Sequence, residues 1–254
     1  MGGHHGSAST AAGEGPAASV APEPKIVATF AFVFAVVATP REAVWAFAAD
    51  AAVVVAVAIA VGIPLAHLAR RLTVELPFVA FAVLLPIVGQ GERVDVFGVS
   101  LSVAGLWAAW SILAKGTLGV AASVVLSATT PVPDLLDGMR RLRVPAVFVS
   151  TCAFMIRYLD VVLDDLHRMH VARVSRGHDP RWLWQARAVA TTAGALFVRT
   201  YERGERVYLA MVSRGYDGMT TVRPTGRAPG RDWLLASAAP AVAAVVAVLA
   251  WAGR

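Results

Sequence analysis

Apolar residues gather into five blocks along this chain, Ile26–Ala38, Ala43–Val61, Leu72–Val88, Leu101–Ala128 and Trp233–Trp251, with polar or proline-containing punctuation between them. A bilayer core needs about 20 helical residues to be crossed. Each block therefore predicts a membrane span, the first one extended by its flanks or tilted. The last block is uncharged, lies between Arg231-Asp232 and Arg254, and carries a tryptophan at each end, where indole rings anchor spans at the interface. Between the fourth and fifth blocks the pattern changes. Leu135, Met139 and Leu142 form one stripe, with Arg140, Arg141 and Arg143 opposite, which predicts a short amphipathic surface helix. From Pro145 to Arg176 apolar residues recur at helical spacing over about 48 Å of potential helix, and Arg181 to Arg214 repeats this over about 50 Å. Arg157, Asp160, Asp164, Asp165 and Arg168 in the first of these exclude a span facing lipid. Only Gly177-His178-Asp179-Pro180 joins the two, so they form a helical hairpin or a crossed pair.

One phrase closes both long helices. Val174-Ser175-Arg176-Gly177 and Val212-Ser213-Arg214-Gly215 sit 38 residues apart, and Asp179 and Asp217 follow at matching positions. A glycine just past a helix is the usual left-handed stop, because it reverses the backbone without a side-chain clash. The arginine before it lies beside the unpartnered carbonyls at the negative end of the helix dipole. Capping accounts for one copy. It does not require the same Val, Ser and Asp around a second, and the pair reads as a duplicated docking feature. Arginine suits such a tip, since its planar fork makes bidentate bonds to carboxylates and keeps its charge at any working pH.

Composition supports the membrane reading: 57% of the 254 residues are hydrophobic and 16% charged, with a mean hydropathy of +0.62. A lone cysteine, Cys152, excludes an intrachain disulfide and a cysteine zinc site. Sixteen of the 23 basic residues lie between Arg140 and Arg231, and all sixteen are arginine. Beside membrane spans, such a block marks the cytoplasmic side. It puts the N-terminus in the cytoplasm and the C-terminus outside, with Arg41 a mild exception. Interleaved acids (Asp160, Asp164, Asp165, Glu202, Glu205) and the lack of a recognised motif argue against nucleic-acid binding. The expected fold is all-α, a polytopic membrane helical bundle with long cytoplasmic amphipathic helices. Residues 1–24 form a disordered tail without signal-peptide character, 25–130 an N-terminal bundle of about four spans, 131–219 the cytoplasmic helical region, 220–232 a Pro/Gly linker and 233–251 the final span.

No P-loop, G-x-S-x-G, H-E-x-x-H or G-x-G-x-x-G occurs, so no catalytic constellation is predicted. Asp164-x-x-His167 lacks the partner motifs of a di-metal site and reads as a polar helix face. His4, His5, His167 and His170 read as solvated, and no metal or cofactor is expected. Asp50, Glu75 and Lys115 lie at membrane depth, where charge is costly and faces protein or water. They motivate an alternative class, a self-contained secondary transporter using intramembrane charges.

The chain resembles the transmembrane T component of energy-coupling-factor (ECF) transporters, in particular the cobalt-type CbiQ branch, over nearly all of Lys25 to Gly218. The likeness is strongest at Lys25–Arg41, Val74–Gly89, Lys115-Gly116-Thr117-Leu118-Gly119, and Phe197-Val198-Arg199-Thr200-Tyr201-Glu202-Arg203 through Gly218. The resemblance implies that the long helices are coupling helices, and that two Ala-Arg-Gly motifs dock onto two ATP-binding cassette ATPase subunits. It also implies that ATP-driven motion passes to a substrate-binding membrane subunit of the S or CbiM-like type. The motif positions here are Ser175, Arg176, Gly177 and Ser213, Arg214, Gly215, with serine replacing the family's alanine, a change of affinity more than of role. The same resemblance implies a plasma-membrane, non-enzymatic subunit of a cobalt importer linked to cobalamin biosynthesis, in contact with lipid and with metal selectivity in the partner.

Overall fold

The computed structural model describes residues 20–89, 92–96, 99–177, 186–216 and 228–253. Helices α1 (Pro22–Ala38), α2 (Val44–Ala60) and α3 (Leu65–Arg71) come first, then a 3-10 turn (Leu72–Glu75) and α4 (Leu76–Val88). A two-stranded antiparallel hairpin, β1 (Arg93–Val96) and β2 (Val99–Ser102), pairs Val94 with Leu101. It lies in the polar stretch between the third and fourth apolar blocks and takes in the first two residues of the fourth. Helices α5 (Val103–Thr129), α6 (Val132–Arg141), α7 (Ala146–Ser175), α8 (Ala186–Val212) and α9 (Gly230–Ala252) complete the chain. His4, His5, His178, Asp179, Asp217 and most of the predicted linker lie outside the described residues.

Local chemistry sets the ends of the helices. A proline in the first turn starts α1, and Glu23 lies in that turn, where the helix dipole favours an acid. The helix therefore begins inside the stretch predicted as tail. At its other end Thr39 donates its N–H to Ala35 and Val36 carbonyls and its hydroxyl to Ala35 O. Two more last-turn carbonyls are taken from a distance: Lys115 Nζ donates to Val37 O at 2.8 Å, and Trp251 Nε1 donates to Ala38 O at 2.9 Å. Ser102 opens α5 by accepting the N–H of Gly105.

The chain divides into two units, Met1–Leu142 with Gly226–Arg254, and Arg143–Thr225. In the first, α1 packs along α9 and α5, and α4 along α5. Its core joins Phe32 and Val36 of α1, Phe47 and Val54 of α2, Leu118, Ala121 and Ala122 of α5, and Ala243 of α9. Phe47 meets Trp110 edge-on with ring centroids 6.3 Å apart. Large apolar side chains also cover the outside, among them Phe30, Phe34, Phe78, Phe81, Leu234 and Val248. A bundle apolar on both its inner and outer faces is built for lipid rather than water. Helix α6 packs on α1.

Among the described residues four helices are long and apolar enough to cross a membrane: Leu68–Val88, Val103–Thr129, Ala146–Ser175 and Gly230–Ala252. With 17 residues each, α1 and α2 are shorter. The inclusion of α7 differs from the expectation. Its charges begin only at Arg157, the twelfth of its 30 residues, and they leave an 18-residue window of mean hydropathy 1.8.

Candidate functional site

In the second unit, α7 and α8 end in the same geometry. Arg176 caps α7, and Gly177 follows with φ 76°. The Gly177 N–H donates to Val174 O at 2.9 Å. At the second copy Gly215 has φ 84°, its N–H reaches Val212 O at 3.0 Å, and the Tyr216 N–H reaches Met211 O at 3.0 Å. That pair of bonds is a Schellman motif, which needs a left-handed residue at the glycine position. A Cβ on either glycine would meet nothing within 4 Å, so backbone conformation rather than crowding calls for glycine.

The two serines turn inward: Ser175 Oγ donates to Val171 O at 2.9 Å and Ser213 Oγ to Ala210 O at 3.0 Å. Both arginines are exposed. Neither has a side-chain hydrogen bond or ion pair among the described residues. Two unpaired guanidinium groups thus stand at the negative ends of two helices, with their small neighbours folded back.

The helices meet at Asp165 and Arg203, whose carboxylate and guanidinium lie 2.8 Å apart. Arg173 Nη1 also donates to Thr192 Oγ1 at 3.4 Å, so α7 and α8 run antiparallel through the contact. Asp165 and Arg203 are 38 residues apart, the spacing of the repeated phrase. Each precedes the arginine of its own tip by eleven residues. This ion pair is therefore about 16 Å along each helix from its tip, with one tip on either side. Sequence reading did not find this pair. Extending the repeat register back from the tips would have shown the two positions as equivalents.

The polar residues at membrane depth are not brought together. Lys115 serves the end of α1. Glu75 is buried and its Oε2 accepts the Thr117 hydroxyl at 2.7 Å. Asp50 is fully buried on the stripe Ala46, Asp50, Val54 and Ala58 of α2, and neither carboxylate oxygen has a hydrogen-bond partner among the described residues. No ion pair among the described residues joins any two of the three. A cavity of about 420 Å³ opens among α1, α2, α5 and α9, and among the described residues its only charged lining residues are Lys25 and Arg231. Such a lining repels a cation. No group of three or more His, Cys, Asp or Glu residues suited to a metal occurs among the described residues.

These features define a polytopic α-helical membrane protein with an exposed, unpaired arginine at each of two helix tips. The family model for CbiQ, described as a cobalt transport protein, matches residues 14–224. The chain belongs to that family. It is 30% identical over 155 residues to a protein of Methanocorpusculum labreanum provisionally named as a fused cobalt transport protein CbiMQ, covering 58% of this chain and 26% of that one. Identity to the cobalt transport protein CbiQ of Rhodobacter capsulatus is 29% over 129 residues, covering 50% of this chain and 52% of the relative. The energy-coupling factor transporter transmembrane protein EcfT of Limosilactobacillus fermentum is 30% identical over 132 residues, covering 46% and 48%. The matched stretch thus spans about half or less of the length of these relatives, which are named as transport proteins.

Proposed function

We propose that this chain is the transmembrane coupling subunit of an ATP-driven ECF-type importer. In it, Arg176 and Arg214 each dock onto one of two ATP-binding cassette subunits on the cytoplasmic face. ATP hydrolysis belongs to those partners. The chain passes their motion to a separate substrate-binding membrane subunit, whose existence the name of the fused CbiMQ relative supports. The cargo class is a divalent transition-metal ion, cobalt by the family's description, in support of cobalamin biosynthesis.

The observation that carries the reading is the repeated exposed tip, two unpaired arginines each eleven residues beyond a member of the Asp165–Arg203 ion pair. A pair of like motors, closing and opening on ATP, presents two equivalent receptors. The α7–α8 pair offers them two equivalent plugs, up to about 33 Å apart along antiparallel axes. An arginine seated in a desolvated acidic pocket is worth about 2–5 kcal/mol on truncation, or at least about thirtyfold in affinity. Replacing both arginines with alanine should therefore abolish co-purification of the ATPase subunits while the bundle still inserts. Undiminished association of the double variant would refute the docking role. A self-contained secondary transporter would need Asp50, Glu75 and Lys115 on one path, and two of the three have separate structural partners. Gradient-driven uptake of cobalt ion by liposomes holding this chain alone would favour that alternative.

A further inference from the structure

The chain leaves the first unit after Leu142 and re-enters it at Gly226. Every covalent path between the α7–α8 arm and the membrane bundle runs through those two points. One carboxylate holds both. Glu23, in the first turn of α1 and 5% exposed, accepts the Ala228 N–H on Oε1 at 2.8 Å, two residues past the re-entry. Its Oε2 lies 3.2 Å from Arg141 Nη1, one residue before the exit.

The sequence builds this junction deliberately. Helix α6 lies against the start of α1 at Gly138, where a Cβ would stand 2.9 Å from Ile26 Cδ1 and 3.2 Å from Glu23 N. That close approach lets Arg141 reach Glu23. Two further bonds fix the same turn of α1: Asp232 Oδ2 accepts the Ala21 N–H at 2.9 Å, and Lys25 Nζ donates to Thr129 O at 3.3 Å. The Glu23 and Arg141 side chains are 6% and 24% exposed, so pulling them apart would strand a charge in a poorly solvated place. The exit itself is a sharp corner, with Arg143 at φ 62°.

We infer that Glu23 is a positioning residue for transmission, obliging α1 to move with both ends of the arm at once. Displacement of α7 and α8 then reaches the bundle through α1, which packs along α5 and α9. The inference rests on the coupling reading above. A purely structural Glu23 would stabilise the start of α1 without affecting how much transport each ATP yields.

The test uses the whole importer in proteoliposomes, with ATP hydrolysis and cobalt ion uptake measured on the same vesicles. Glu23→Gln and Arg141→Met should keep the ATPase subunits bound and hydrolysing within about twofold, yet lower cobalt taken up per ATP about five- to tenfold, and Glu23→Asp should restore much of the loss. Gly138→Val, which wedges α6 away with every charge intact, should uncouple in the same way. An unchanged uptake-to-hydrolysis ratio in Glu23→Gln would overturn the inference, and so would loss of ATPase association in step with uptake. A wild-type chain that never assembles with ATPases would sink the coupling reading itself, and this inference with it.

Discussion

At the residue scale, charges inside the bundle differ from the exposed arginines of the two tips. Lys115, Glu75 and Glu23 each have a partner, whereas Arg176 and Arg214 have none among the described residues. Asp50 is the exception inside the bundle, fully buried with neither oxygen bonded. Burying a polar group without a compensating bond costs about 1–3 kcal/mol, so Asp50→Leu should raise stability by roughly that amount. A higher midpoint for thermal unfolding in detergent would show it, and a lower one would mean that the carboxylate gains a partner in the membrane. The tips were legible in the sequence because glycine stops and capping arginines are local chemistry. Lys115 was legible as a charge that faces protein or water, but its partner was not, because the acceptor, Val37 O, is 78 residues away. Glu23 was hidden for another reason: it sits at the edge of a low-complexity stretch, and only the packing of α6 and α9 against α1 makes its carboxylate useful.

At the element scale, periodicity found every long helix, and its limits are instructive. The amphipathic stripe of α6 was visible, but its packing surface on α1 was not, since that depends on Gly138 rather than on the stripe. Helix α7 was read by its charges, which hid the apolar run in its N-terminal half. The α7–α8 crossing depends on the Asp165–Arg203 pair, with side chains 16% and 31% exposed. A charged hydrogen bond in that setting contributes about 1–3 kcal/mol. Spin labels at Ser175→Cys and Ser213→Cys, in a Cys152→Ala background, should give a narrow distance distribution. Arg203→Ala should broaden it, and an unchanged distribution would mean that other contacts fix the tips.

At the scale of the whole molecule, the chain divides into a lipid-adapted bundle and a second unit that carries α7 and α8. The proposed function gives that division a use, with motors engaging the α7–α8 unit and a substrate-binding partner engaging the bundle. Both engagements are proposals about partners. The central one is that two equivalent tips meet two ATPase subunits. Its most direct measurement places a photoreactive residue at Ser175, at Ser213, or at both, leaving each arginine intact, in membranes that contain the co-expressed ATPases. Each single variant should capture one ATPase subunit and the double variant two on the same chain. Capture by one tip only, or adducts with lipid alone, would contradict the account.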